Sequence, residues 1–260
     1  MKKKLGLILG SGGSRGFAHI GFLQAMEENG IKPDVVTGCS IGSVIGAVYL
    51  AGKTPKQMKN IAFKLKKGDL IDLTLNVFKS MALLRSVKLE QQLEKYLGKK
   101  TFADLPIPFA TIATDLISGE LITFTEGDLL TAVKASSAIP TVFAPVKKDG
   151  MLLVDGGLLS RTPVAAAKDL GADVTVAVDL LGNLPDYTEV NNIIQLAMRA
   201  IDVGDHRDQR PRRRDVPDLM LNPDLKSVNQ YKIADQQFSY DVGYKLGIEN
   251  AQKIKELITG

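Results

Sequence analysis

The chain has 260 residues, of which 45% are hydrophobic and 24% are charged, and these proportions exclude a disordered, collagen-like or disulfide-stapled protein. The net charge is only +4 and the basic residues are scattered, so the composition does not favour nucleic-acid binding. One cysteine, Cys39, and two histidines, His19 and His206, provide no internal disulfide and too few ligands for a His/Cys zinc site. We therefore expect a globular protein without a metal.

The N-terminus begins with a basic stretch, residues 1–4, followed by an apolar run at residues 5–9. That run is shorter than the apolar core of about 7 to 15 residues that a secretory signal peptide needs. No window approaches the roughly 18 apolar residues of a membrane-spanning helix. We expect a cytoplasmic protein, and peripheral contact with the inner face of the membrane stays open.

Short apolar runs alternate with helical periodicities along the chain. Strands are predicted at residues 5–9, 35–37, 109–114, 121–124, 152–154 and 174–178. Helices are predicted at residues 17–29, 41–50, 129–137, 163–170 and 241–258. This alternation predicts an α/β fold with three layers, α/β/α, around a mostly parallel central sheet. We expect one domain over residues 1–260, with a catalytic core at 5–168 and a C-terminal part of the same domain at 169–260.

Ligands in such sheets gather at the carboxyl ends of the strands, so the chemistry is expected just after Leu9, Thr37 and Val154. Ser40 follows the second of these strands in the sequence Gly38-Cys39-Ser40-Ile41-Gly42 and precedes a predicted helix. This strand–turn–helix context is typical of a nucleophile elbow. The alternative is a tight turn that leads into a buried helix.

A catalytic serine needs a base, and the histidines do not supply a convincing one. The usual α/β-hydrolase order places the histidine after the serine, which leaves only His206, in a densely charged stretch where arginines lower imidazole basicity. His19 precedes the serine and is interpreted as a packed residue of the first helix. The usual triad is therefore not supported.

Asp155 is the candidate base. It ends an apolar strand and is followed by Gly156 and Gly157, which allow a close backbone approach and a sharp turn. If Asp155 lies within hydrogen-bonding reach of Ser40, its carboxylate can take the hydroxyl proton directly. The two residues would then form a catalytic dyad in place of a triad. The alternative is a structural aspartate that caps a turn.

The loop Gly10-Ser11-Gly12-Gly13-Ser14-Arg15-Gly16 follows the first strand. A dinucleotide fingerprint requires glycine where Arg15 stands and an acidic residue at the end of the second strand, which is missing. A phosphate-binding P-loop would need a Gly-Lys-Ser/Thr ending. The loop is interpreted either as a nest of backbone N–H groups that holds an oxyanion or as a structural turn.

Together the three motifs resemble the patatin-like phospholipase family, in its bacterial branch. The flanking residues 15–21, 135–140 and 156–164 fit as well, and the resemblance is strong over residues 5–180 and loose beyond. It implies a patatin-like fold, Ser40 as nucleophile and Asp155 as base. It also implies that the oxyanion donors are Gly12, Gly13 and Ser14. The glycines of the three motifs are Gly16, Gly38, Gly42, Gly156 and Gly157.

The chain departs from the family pattern at four positions. Ser11 and Thr141 stand where glycine is common, and Cys39 and Ile41 replace smaller residues beside the nucleophile. None of these changes removes a reacting group. Ile41 is expected to narrow the acyl pocket.

The expected function is a serine acyl hydrolase of the lipid esterase or phospholipase A type, which needs no metal or organic cofactor. Its partner is a lipid or other acyl-ester substrate, and no oligomeric state is predicted. Two alternatives stay open: a regulatory or adaptor protein that keeps the fold with weak catalysis, and a nucleotide-binding protein. Residues 70–84 are interpreted as a lid or lipid-docking segment, or else as a packed helix or strand. Residues 207–214 are interpreted as a contact with anionic lipid headgroups, or else as a solvated charged loop.

Overall fold

The computed structural model describes residues 2–64, 72–73, 84–85, 87–182, 215–230 and 234–260, together with 190, 196, 199, 200 and 203. Its strands are β1 Leu5–Leu9, β2 Val35–Gly38, β3 Asp72–Leu73, β4 Leu84–Arg85, β5 Phe109–Asp115, β6 Leu121–Phe124, β7 Val146–Lys148, β8 Met151–Asp155, β9 Val174–Val178 and β10 Leu219–Leu221. Its helices are α1 Phe17–Glu28, α2 Ile41–Leu50, α3 Pro55–Ala62, α4 Val87–Leu97, α5 Leu129–Ser136, α6 Val164–Asp169 and α7 Gln236–Thr259.

The central sheet has the strand order β10-β9-β1-β2-β5-β8-β7, and β6 also pairs with β5. The five strands from β10 to β5 are mutually parallel, whereas β8 and β6 run antiparallel to β5. The predicted α/β fold with a mostly parallel sheet is confirmed. Strands β3 and β4 form a separate two-stranded ribbon.

The sheet is covered on both faces. This is seen in β1, whose residues alternate between two apolar clusters, one on each face. Leu5, Leu7 and Leu9 pack with α1, α2, α5 and α7 in the larger cluster. Ile8 points the other way, into a smaller cluster with Val164 of α6. All residues of β1 and β9 are buried, and Thr175 of β9 is their only polar residue, as is typical of a parallel strand covered on both faces.

Strands β2 and β8 meet end to end along one edge of β5. Thr111 of β5 pairs with both β2 and β6, while Ala113 pairs with both β6 and β8. Because a strand has only two edges, β6 occupies one of them and β2 and β8 share the other. The carboxyl end of β2 pairs with Thr111 and that of β8 with Ala113, so the two chain ends converge from opposite directions. The chemistry expected after Thr37 and after Val154 therefore falls at one place.

Most predicted boundaries agree with the observed ones to within one or two residues. Helix α7 begins earlier than predicted, at Gln236, and Pro163 lies before α6 instead of inside it. Among the described residues, six strands and helices outside the prediction also appear: α3, α4, β3, β4, β7 and β10. No helix among the described residues has the length and apolar character that crossing a membrane requires.

Candidate active site

Ser40 lies in a strained turn between β2 and α2. Its backbone has φ 53° and ψ −122°, a positive-φ conformation that residues with a side chain rarely adopt and that costs about 1 to 3 kcal/mol. A Cβ on Gly42 would lie 1.9 Å from the carbonyl oxygen of Leu9, and one on Gly38 would lie 2.6 Å from the Gly42 backbone. Gly42 is therefore required because the turn packs against the end of β1, and Gly38 because the start of α2 folds back onto it.

Three other serines hold the strained Ser40 backbone in place. The Ser40 N–H donates to the Oγ of Ser136 at 3.0 Å, while the Ser40 carbonyl accepts from Ser43 Oγ at 2.7 Å and Ser137 Oγ at 3.3 Å. A strained conformation persists only where its surroundings fix it in this way. Sequence reasoning noted residues 135–140 as family-like but assigned Ser136 and Ser137 no contact with Ser40.

The structure brings Asp155 to Ser40. Asp155 ends β8 and caps the short 3-10 helix Gly156–Leu158, and its Oδ1 accepts the Gly157 N–H at 2.8 Å. The Ser40 side chain lies close enough to the same carboxyl group to lower its pKa. Burial raises the pKa of Asp155 to about 6, against partial compensation from Ser40, Gly157 and Cys39. Gly156 is needed here because a Cβ would lie 2.5 Å from the carbonyl oxygen of Ile112.

In the glycine-rich loop after β1, two backbone N–H groups find no acceptor in the described part of the chain. Four others already donate to backbone carbonyls, those of Gly10, Ser11, Ser14 and Arg15. The N–H groups of Gly12 and Gly13 have no acceptor among the described residues. Since the Ser14 N–H is held by Gln230 at 2.9 Å, Gly12 and Gly13 are the better candidates for holding an anion.

Buried side chains fix that loop from beneath. Arg15 is 1% exposed and donates to the carbonyls of Leu180 and Val228 at 2.9 and 3.0 Å. Fully buried on α1, His19 has its Nε2 2.8 Å from the carbonyl oxygen of Gly10. Burial lowers the pKa of His19 to about 4, so it is a neutral packing residue near pH 7. His206 and residues 207–214 lie outside the described residues.

The loop and the elbow contact each other through Ile41. A Cβ on Gly16 would lie 2.2 Å from Ile41 Cγ1, so Gly16 makes room for that side chain. The Ile41 side chain thus packs against the loop, and nothing among the described residues tests the expected narrowing of an acyl pocket. Thr141, the other departure noted near the site, adopts φ 66°, a strained conformation that the common glycine would relieve.

The expectations about a metal site and about a lid segment concern residues other than Ser40. No group of three or more metal-ligating side chains occurs in the described part of the chain. The lid or docking segment, residues 70–84, lies outside the described residues except for 72–73 and 84. Its interpretation stays a prediction.

Comparisons with known proteins place these motifs in one family. The sequence profile described as Patatin-like phospholipase matches residues 7–168. An uncharacterized NTE family protein of Mycobacterium bovis is 38% identical over 180 residues, which are 69% of this chain and 50% of that protein. A lysophospholipase of Coccidioides immitis, NTE1, is 33% identical over 189 residues, 72% of this chain and 12% of its own length. The chain therefore spans about half or less of these relatives.

The crystal structure of VipD from Legionella pneumophila has a similar fold. It superposes with a TM-score of 0.58 at 15% sequence identity, covering 99% of this chain and 67% of that one. At that identity the likeness bears on the fold alone.

Proposed function

Because the chain belongs to the patatin-like phospholipase family, we propose that it is a serine acyl hydrolase that cleaves fatty-acid esters of lipids. The observation that carries the proposal is the meeting of Ser40 and Asp155 at the converging ends of β2 and β8. No imidazole of the described residues lies between them, since His19 is buried beneath the glycine-rich loop. A relative named as a lysophospholipase makes glycerophospholipids and lysophospholipids the first substrates to test.

In the first half-reaction the Ser40 Oγ forms a bond to the ester carbonyl carbon while its proton passes to Asp155. The carbonyl oxygen becomes an oxyanion, which the N–H groups of Gly12 and Gly13 stabilise. The N-terminus of α2, which begins at Ile41 beside the nucleophile, adds the positive end of a helix dipole. When the intermediate collapses, the ester C–O bond breaks and the alcohol leaves with the proton from Asp155.

In the second half-reaction water attacks the acyl-enzyme. Asp155 takes a proton from that water, a second tetrahedral intermediate forms, and its collapse releases the fatty acid as the proton returns to Ser40. A carboxylate with a pKa of about 6 suits this role because it is ionised at neutral pH yet more basic than an exposed aspartate. The protons and electron pairs balance without a metal or an organic cofactor.

The test is hydrolysis of p-nitrophenyl acyl esters and of a lysophospholipid by Ser40→Ala and Asp155→Asn. We expect each variant to lose at least about 100-fold in kcat/KM, since losing even one oxyanion donor costs that much. Ser227→Ala and Asp224→Asn change exposed residues of the same types and should retain wild-type rates. Turnover near the wild-type rate by either site variant, in protein shown to be folded, would refute the dyad.

A further inference from the structure

The two oxygens of the Asp155 carboxyl group have different surroundings. Oδ1 accepts the Gly157 N–H at 2.8 Å, and the Cys39 Sγ lies 3.8 Å from the same oxygen as a second, weaker donor. A sulfhydryl donates weakly, but both partners are buried, with Cys39 at 0% and Asp155 at 7% exposure, so solvent screens the contact little. Oδ1 is therefore an anchored oxygen with two donors.

The position of Cys39 is fixed independently of its side chain. Its N–H donates to Leu9 at 3.1 Å, and its carbonyl accepts from Gly42 at 2.8 Å. The residue is fully buried, so water cannot replace Asp155 as the acceptor of the thiol proton. At this position a thiol supplies a proton toward Oδ1, whereas alanine would supply none.

We propose that Cys39 is a positioning residue of the hydrolase: together with the Gly157 N–H it holds Oδ1 and leaves Oδ2 as the oxygen that takes the Ser40 proton. The inference rests on the proposed function, because it assigns the two oxygens of the proposed base. Proton transfer then runs from Ser40 Oγ to Oδ2, and the thiol proton stays on Cys39 throughout. Cys39 contacts no substrate atom in this scheme.

The groups around Asp155 make its titration simple to interpret. The elbow presents the Ser40 hydroxyl and the Cys39 thiol, the 3-10 helix presents the Gly157 N–H, and the facing residues of β5 are Ile112 and Ala113. No charged side chain of the described residues contributes to the pKa of Asp155. Removing the thiol should therefore move that pKa in one direction, upward.

The contact itself can be measured by infrared spectroscopy. Cys39 is the only cysteine, so the S–H stretching band of the whole protein belongs to it. We expect the band at a lower wavenumber in the wild type at pH 8 than in Asp155→Ala, and we expect it to rise when the wild type is titrated downward through about pH 6. A band that is the same in both proteins and indifferent to pH would overturn the proposal.

The role in catalysis is tested by the pH profile of kcat/KM. Cys39→Ala should shift the acid limb upward by about half a pH unit, the size expected for losing a weak hydrogen bond, and Cys39→Ser should restore it at least in part. No shift in Cys39→Ala, or equal shifts in both variants, would show that the thiol proton does not act on Asp155. If the wild type hydrolyses no ester, the proposed function fails, while the infrared band still decides the contact.

Discussion

At the scale of single residues, Asp155 is placed where its chemistry and the stability of the fold conflict. Burial removes its carboxylate from water, and the hydrogen-bond donors around it offset only part of that desolvation cost. Its pKa is therefore raised from 3.8 to about 6. The sequence indicated Asp155 and Ser40 because glycine motifs mark sharp turns. It did not indicate Ser136, Ser137 or the Cys39 contact, because those depend on which side chains the fold brings within a few ångströms of the elbow.

The raised pKa predicts how Asp155→Asn changes stability with pH. Well below the unfolded pKa of 3.8, the carboxyl group is protonated in both the folded and the unfolded chain, so it carries no penalty. Between pH 3.8 and about 6 the unfolded chain loses this proton while the folded chain keeps it. The unfolding free energy of the wild type therefore falls over that interval, by about 3 kcal/mol in all, and stays at the lower value up to pH 8. The amide of the variant stays neutral, so the variant should gain stability over the wild type at pH 8 and lose most of that advantage at pH 4.

Urea denaturation at pH 4 and pH 8 measures this change, with Asp224→Asn as an exposed control. The control should show little difference from the wild type at either pH. A stability difference between Asp155→Asn and the wild type that is equal at both values would contradict a raised pKa of Asp155.

At the scale of elements, strand direction was the feature that sequence reasoning could not supply. The run Met151–Asp155 has the same apolar pattern as the parallel strands, yet β8 is antiparallel to β5. Pairing direction depends on distant partners, which a local pattern does not contain. Helix α3 could have been found, since Thr54 and Gln57 form a capping box with Pro55 at the first turn, a recognisable helix start.

The packing of α7 on α1 shows the same dependence on distant contacts. Glycine inside a helix usually lowers stability, but a Cβ on Gly243 would lie 1.9 Å from the Ala18 carbonyl oxygen, and one on Gly21 would lie 2.0 Å from that of Tyr240. These two glycines let the helix backbones touch. They were not singled out from the sequence because each reads there as an ordinary weak helix position.

Gly243→Ala should therefore destabilise the protein, although alanine is the better helix former. The added methyl group must push α7 away from α1, and such overpacking costs about 1 to 3 kcal/mol. Thermal and urea unfolding measure the loss, with Lys253→Ala on the exposed face of α7 as the control that should change stability by less than about 0.5 kcal/mol. A Gly243→Ala protein as stable as the wild type or more stable would mean that the two helices are not in backbone contact.

At the scale of the whole molecule, the proposed site depends on both parts of the chain. The matching family region ends at residue 168, but the glycine-rich loop is held by the carbonyls of Leu180, Val228 and Gln230. Helix α7 further supports α1, the helix that follows this loop. We therefore propose that residues 1–260 act as one domain, in which the part after residue 168 fixes the shape of the loop that we propose binds the oxyanion.

The most direct test of the proposed Ser40–Asp155 dyad is covalent labelling of the full chain with a fluorophosphonate, followed by mass spectrometry of its peptides. The reagent reacts with a serine that is activated as a nucleophile, so we predict a single adduct, on Ser40. Labelling should be lost in Ser40→Ala and strongly slowed in Asp155→Asn, and its rate in the wild type should fall as the pH drops below about 6. An unlabelled wild type, or equal labelling of Asp155→Asn and the wild type, would contradict the proposal that Ser40 is activated by Asp155.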